Sequence, residues 1–320
     1  MKKIWVDADP GVDDTFALAM LFEAQDQVEM MGISTVFGNA DTAQTTRNAK
    51  ILFEAAGKAE LPVARGAYQP LVVPLDTSPY VHGKNGLGDM ILPEPAMPES
   101  TRRGPEAIID IILAHPHEIT LLLIGPLTNA AIALMLEPSI VDLVKEVVIM
   151  GGAVHCPGNI TPAAEANFYH DPHAAQIVMR AGWPISLASL DVSNRGFVPQ
   201  NLLDKVCAAD KALTPFIAGA LPFYQKFLEN LEIYGEVDFP DALAAAYLLL
   251  PEVFTIEDTL LYVETTGACM GQSVAVPTGK WYQDVLDSRT FAADRSISPA
   301  RVMVDVDRDA FVGLIEDLLA

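Results

Sequence analysis

Four aspartates stand within eight residues near the start of the chain, in Asp7-Ala8-Asp9-Pro10-Gly11-Val12-Asp13-Asp14, directly after the apolar run Ile4-Trp5-Val6. The run reads as a buried strand, Pro10 and Gly11 force a tight turn, and Thr15-Phe16-Ala17-Leu18-Ala19-Met20-Leu21 reads as the helix that follows. Any fold containing this element carries its carboxylates at the carboxyl end of a strand, where open α/β sheets place their ligands. Helix capping accounts for Asp13 or Asp14, since a helix start favours one or two acids, but it does not account for all four. Like charges this close need a cation. Hard oxygen donors without cysteine or histidine beside them suit calcium or magnesium.

The rest of the chain repeats the strand-then-helix alternation. Short β-branched runs at 3–6, 29–36, 119–124, 146–150 and 185–190 predict strands. Helices are expected at 15–23, 42–56, 127–136, 172–181 and 199–209, with two more at 214–231 and 242–250. This alternation predicts an α/β fold: a doubly wound, mostly parallel central sheet with helices on both faces and the site at the carboxyl ends of the strands. Residues 69–103, rich in proline and glycine, make too long a connection for an ordinary turn and read as a functional loop. With no repeat, low-complexity tract or linker, residues 1–320 are expected to form one domain.

Composition narrows the partners. A 51% hydrophobic content is ample for a buried core, and a net charge of −22, from 42 acidic and 20 basic residues, repels nucleic acid and anionic membranes. The most apolar stretch, 119–136, is interrupted by Gly125-Pro126 and Thr128-Asn129, so no membrane span is expected. Cys156, Cys207 and Cys269 are odd in number and far apart, which suggests neither a disulfide framework nor a zinc site and points to a reducing cytoplasm. The apolar run after Lys2-Lys3 is too short for a signal peptide.

The aspartate element resembles the N-terminal signature of the inosine-uridine preferring nucleoside hydrolases. Val36-Phe37-Gly38-Asn39, Gly125-Pro126-Leu127-Thr128-Asn129, Met150-Gly151-Gly152, the segment 157–167 and Asp241-Ala242-Leu243-Ala244 follow in that family's order. The resemblance runs from residue 7 to about residue 250; the last seventy residues carry no matching motif. It implies calcium-dependent hydrolysis of the N-glycosidic bond of ribonucleosides to ribose and free base, in a homodimer or homotetramer. By the same resemblance Asp9, Asp14, Asp241 and the backbone carbonyl of Ile124 are ligands of a calcium ion. Calcium takes roughly six to eight oxygens, which leaves room for water and two sugar hydroxyls. Asp13 is marked as the general base on a metal-bound water, and Asp7 as a supporting acid that orients its neighbours. Asn39, Asn159, Glu165 and Asn167 match ribose-binding positions, with Met150 also at a substrate-binding position. Singly, each polar residue of that set reads as a turn residue, and Asp241 alone would read as a helix cap.

His82, in Val81-His82-Gly83-Lys84-Asn85-Gly86, resembles the family's mobile, substrate-covering segment and is expected to contact the nucleobase. The other histidines, His115, His117, His155, His170 and His173, have no metal spacing and read as surface residues. The chain departs from the family at Pro240: many members carry histidine just before the last metal-binding aspartate, whereas this chain reads Asp238-Phe239-Pro240-Asp241. Proline cannot donate a proton, so another group, such as His82, Tyr224 or Tyr234, must serve the leaving base; His82 is the expected donor. Three other readings remain: a nicotinamide-riboside or other riboside hydrolase of the same fold, a haloacid-dehalogenase-like phosphatase, and a non-catalytic nucleoside-binding protein. The phosphatase reading leaves the asparagine-rich segments unexplained.

Overall fold

In the computed structural model, which describes residues 1–276 and 299–320, strands and helices alternate from the first residues. β1 (Lys2–Ala8) leads into α1 (Val12–Glu23), and β2 (Val28–Thr35) into α2 (Thr42–Ala55) and β3 (Val63–Arg65). After α3 (Pro79–His82) and α4 (Gly104–Ala114) come β4 (Ile119–Leu123), α5 (Thr128–Leu136), α6 (Ile140–Leu143) and β5 (Glu146–Met150). Then follow α7 (Ala166–His170), α8 (Pro172–Met179), β6 (Ile185–Ala188) and α9 (Leu190–Ser193). Two short paired strands, β7 (Val198–Pro199) and β8 (Glu236–Val237), bracket α10 (Gln200–Ala208) and α11 (Thr214–Asn230). α12 (Pro240–Leu249) precedes β9 (Phe254–Val263), β10 (Ser273–Val276), β11 (Ala300–Val306) and α13 (Arg308–Leu319).

The main sheet has the order β10-β9-β11-β6-β5-β4-β1-β2-β3. Pairings are parallel from β3 through to β11, and antiparallel from β11 to β9 and from β9 to β10. From β1 the chain winds outward to β2 and β3, then returns to β4 on the other side of β1. The order therefore reverses between β1 and β4, and in such sheets the crevice at the reversal is where ligands bind.

Strand residues alternate between two cores. Ile4, Val6 and Ala8 of β1 pack with α1, α2 and α12 on one face, while Trp5 packs with α4, α5 and α8 on the other. Burial on both faces explains why the parallel strands read as nearly continuous apolar runs. α1 and α12 lie together on the first face, where the Phe16 and Phe239 rings stack at 4.2 Å. Such a pair contributes about 0.5–1.5 kcal/mol beyond its buried area. It also brings the first turns of two helices far apart in sequence side by side.

The five expected strands are β1, β2, β4, β5 and β6, and the seven expected helices are present with ends shifted by a few residues. The largest such shift matters: α1 begins at Val12, so Asp13 and Asp14 lie in its first turn, and α12 begins at Pro240, where a missing N–H costs nothing. The sequence reading missed α4, the short helices α3, α6, α7 and α9, the three-residue β3, the β7–β8 pair and the described elements of the last seventy residues. β9 exposes Thr255, Glu257 and Asp258, which fall on both of its faces, so no clean alternation marks the strand. Residues 69–103 are irregular apart from α3, as expected.

Candidate active site

The crevice at the β1/β4 reversal is a cavity whose wall is built from strand ends. The β1–α1 turn contributes Asp9 and the first turn of α1 Asp13, the β2–α2 turn Asn39, the end of β4 Ile124, β5 with its following loop Met150, Asn159 and Glu165, and α7 Asn167. Asp238 comes from the segment between β8 and α12, Pro240 and Asp241 from the first turn of α12, Tyr224 from α11, and Tyr80 and His82 from the 69–103 segment. The structure thus places every residue expected at the site on the cavity wall except Asp7 and Asp14, which are buried beside it; Asp14 still joins the cluster through its contacts with Asp13, Asp241 and Asn39.

The aspartates are held by a short network. Asp9 Oδ2 accepts the Asn39 backbone N–H at 2.7 Å, and Asn39 Nδ2 donates to Asp14 Oδ2 at 2.9 Å and to the Asp9 carbonyl at 3.1 Å. Asp14 Oδ2 also accepts the Gly11 N–H at 2.9 Å, closing the start of α1. Gly38 makes this packing feasible: its φ is +150°, and a Cβ there would meet Asp9 Oδ2 at 2.1 Å. Carboxylate oxygens of Asp13, Asp14 and Asp241 lie within 4.8 Å of one another.

Burial, and then the charge of Asp13, pushes the Asp14 carboxyl up to about 8. Burial raises Asp9 and Asp241 well above the usual carboxylate range, and the neighbouring aspartates add to it. The protein does little to relieve this crowding. Among the described residues no lysine or arginine lines the cavity, and Asp14 Oδ1 is buried without a hydrogen-bond partner. An orphaned carboxylate oxygen beside two further carboxylates fits a hard divalent cation, and it does not fit helix capping alone.

The sugar-side residues are locked from the backbone. Glu165, almost fully buried, accepts N–H groups from Gly152 at 2.8 Å, Asn167 at 2.8 Å and Phe168 at 3.1 Å. Asn167 Nδ2 donates to the Ile124 carbonyl at 3.1 Å and to the Met150 carbonyl at 3.2 Å, which ties the ends of β4 and β5 together beneath the cavity. Asn159 Oδ1 accepts the Ala166 N–H at 3.0 Å. Asp7 accepts from Ser34 Oγ and, at 2.8 Å, from Asn129 Nδ2, which also reaches the Thr35 carbonyl at 3.0 Å. It braces β1, β2 and α5, and burial raises its carboxyl to about 7.

His82 is buried on the cavity wall. Its Nδ1 accepts the Val12 N–H at 3.3 Å and lies 3.7 Å from Asp13 Oδ1, so the neutral ring carries its proton on Nε2. Burial lowers its pKa, with Asp13 opposing. Tyr224 lies 5.6 Å from the His82 ring and stacks on Phe239 at 5.9 Å, and burial raises its phenol well above the ordinary value. Tyr234 is 69% exposed and off the wall.

Sequence reasoning missed Asp238, which faces the cavity with both carboxyl oxygens near Ser193 Oγ, at 2.8 and 2.7 Å. It stands within the Asp238-Phe239-Pro240-Asp241 motif, and the available signal was an acid just ahead of a helix that a proline begins. His170 is a correction: it is buried, held at about 4 by burial, where the sequence suggested a surface residue. It follows Phe168 in a helix of only five residues, too short for periodicity to reveal its inward face.

A family model described as inosine-uridine preferring nucleoside hydrolase matches residues 4–313. Uridine nucleosidase 1 of Arabidopsis thaliana is 36% identical over 275 residues, covering 85% of this chain and 81% of its own. The inosine-uridine preferring nucleoside hydrolase of Crithidia fasciculata is 35% identical over 321 residues, covering 99% and 97%. Among solved structures, a plant nucleoside hydrolase superposes with a TM-score of 0.93 at 28% identity, covering 99% of this chain and 98% of its own.

Proposed function

We propose a calcium-dependent mechanism for this chain, which belongs to the inosine-uridine preferring nucleoside hydrolase family and is an N-glycosidase acting on ribonucleosides. The supporting observation is the crowded carboxylate set with its unpartnered Asp14 Oδ1 and no cationic side chain on the described cavity wall. Asp9, Asp14, Asp241 and the Ile124 carbonyl would hold the ion. When bound, calcium would offset their charge, chelate a vicinal sugar diol and lower the pKa of water.

Asp13, on the cavity wall beside Asp14, takes the proton of the water that attacks the anomeric carbon. The C–N bond breaks with its electron pair leaving on the base, and the ring becomes oxocarbenium-like. The surrounding aspartates stabilise that positive charge through fixed, desolvated geometry. Asn39, Asn159, Glu165 and Asn167 hold the ribose hydroxyls, with Met150 beneath the sugar. Asp7 keeps β1 and α5 in register behind them. His82 closes the cavity from the 69–103 segment and offers its Nε2–H to the substrate.

A second reading exchanges Asp9 and Asp13. It draws support from the carboxylate oxygens of Asp13, Asp14 and Asp241 lying within 4.8 Å of one another while Asp9 Oδ2 accepts the Asn39 N–H. In that reading Asp13 faces the cation and sugar while Asp9 takes the proton. Asp9→Asn and Asp13→Asn separate the two: the variant that loses kcat but keeps its calcium identifies the base.

The reaction itself is tested by assaying free ribose from inosine, adenosine, uridine, cytidine and nicotinamide riboside, with a phosphomonoester panel alongside. Ribose from at least one nucleoside supports the reading. Phosphate release without ribose, or nucleoside binding without turnover, would overturn it. Residues 1–320 would act as one catalytic domain, because one sheet runs from β10 to β3. The free cysteines Cys156, Cys207 and Cys269 support a cytoplasmic setting, and the family resemblance supports a homo-oligomer.

A further inference from the structure

The cavity has a polar half at the strand ends and an apolar half lined by Tyr224, Phe227, Leu228, Leu231 and Ile233. If the ribose occupies the polar half, as proposed above, the base occupies the apolar half. A base departing with the electron pair of the C–N bond needs a proton there. Few groups can supply it. Pro240 has no N–H. The Tyr224 phenol is too weak an acid, because burial holds it well above its ordinary pKa. His82 is neutral, with burial lowering its pKa and Nδ1 engaged by Val12. Glu165 belongs to the polar half and is taken up by three N–H donors.

Asp238 remains. It faces the cavity from the segment joining β8 to α12, with Ser193 Oγ 2.8 and 2.7 Å from its two carboxyl oxygens. One hydroxyl hydrogen serves one of these contacts well, and a proton on the carboxyl satisfies the other. Burial raises this carboxyl to about 7, with Ser193 lowering it and the charge of Asp13 raising it. Among the described residues, Tyr224 from α11 and Asp13 from α1 are the titratable groups it interacts with, and Asp241 follows three residues later in the first turn of α12.

We propose that Asp238, oriented by Ser193, is the acid that protonates the departing nucleobase in this chain. In the step, the C–N bond breaks, the base keeps the electron pair and takes the Asp238 proton, and Asp238 becomes a carboxylate. The attacking water forms the new C–O bond and gives its proton to the general base. Solvent returns a proton to Asp238 as the free base leaves, so both oxygens and protons balance.

The inference rests on the glycosidase reading, and the experiment separates the two. The full-length, calcium-loaded protein and its Asp238→Asn and Ser193→Ala variants are assayed on inosine, uridine and 4-nitrophenyl riboside, whose leaving group needs no proton. Asp238→Asn should lose roughly 10²–10⁴-fold in kcat on the nucleosides while its turnover of nitrophenyl riboside stays near wild type, which also reports an intact fold. The decline of nucleoside kcat toward alkaline pH should vanish in Asp238→Asn. It should move to higher pH in Ser193→Ala, because the hydroxyl normally lowers the carboxyl pKa. Equal losses on both substrate types, or normal nucleoside turnover in Asp238→Asn, would overturn the role. A wild type inactive on every riboside would sink the glycosidase reading and this inference with it, whereas an active wild type with an indifferent Asp238→Asn sinks only the latter.

Discussion

Asp13 and Asp14 are adjacent, equally acidic and in the same helical turn, yet their surroundings differ. Asp14 is fully buried and tied to Gly11 and Asn39, whereas Asp13 keeps 13% of its side chain open to the cavity. Asp13→Asn keeps the shape and removes the basicity. It should retain calcium and melt near the wild-type temperature while kcat falls by roughly 10²–10⁴-fold. Turnover near wild type would place the base elsewhere. The ribose side makes a separate prediction, because Asn39, Glu165 and Asn167 are locked donors and acceptors with fixed directions. A 2′-deoxynucleoside leaves a buried partner unsatisfied, at a cost of roughly 1–3 kcal/mol or more. That corresponds to a drop of about 5–150-fold in kcat/KM for 2′-deoxyinosine relative to inosine. Equal values for the two would remove these residues from hydroxyl recognition. His82→Ala should slow natural nucleosides and nitrophenyl riboside alike if the ring serves mainly to close the cavity. A loss confined to the natural nucleosides would instead make it the acid and displace Asp238.

At the scale of elements, two contacts bring the site together. The Phe16–Phe239 stack holds the first turns of α1 and α12 side by side, so that Asp13, Asp14 and Asp241 converge. The second contact docks the 69–103 segment on α11. Gly88, with φ +64°, rests against Ala220, whose Cα would lie 2.8 Å from an added Cβ, and its N–H donates to the His82 carbonyl at 2.8 Å. Gly88→Ala adds left-handed strain and a backbone clash, so it should lift the segment and carry His82 away from Val12. Because a misplacement of about 1 Å can cost on the order of 10²-fold, kcat/KM should fall by up to that amount while Tm shifts only a few degrees. Unchanged kinetics in a folded Gly88→Ala protein would show that the docking does not position His82.

For the whole molecule, the carboxylate cluster links metal, pH and stability. The Asp14 carboxyl is raised from 3.8 to about 8 in the fold, so the folded chain binds this proton more tightly than the unfolded chain does. Without a cation, that contribution is fully present below about pH 4 and is lost as pH rises through about 8. Asp9 and Asp241 shift in the same direction. A cation that holds the ionised carboxylates competes with those protons, so the gain in Tm on adding calcium should be small near pH 5 and large near pH 8. Melting curves with calcium and with chelator across this range check the sign. A gain that shrinks as pH rises would contradict it, and full activity in verified metal-free protein would remove the metal from the reaction.

How much was legible in the sequence follows from how local each signal is. The Asp7–Asp14 element, the five central strands and their helices depend on short-range periodicity, turn residues and apolar runs, so the sequence alone determined the α/β class and the carboxylates at its strand ends. The strands at the far end of the sheet, β9–β11, and the three-residue β3 lacked such patterning, because exposed polar residues and short length leave little periodicity to read. Tertiary structure alone decided that Asp13, Asp14 and Asp241 share one site, since Asp241 lies 227 positions after Asp14 and only the packing of α1 on α12 joins them. It also decided that Asp7 braces the wall from behind, that His170 is buried, and that Asp238 lines the cavity beside Ser193. These properties are set by burial and by partners distant along the chain, and residue spacing carries no record of either.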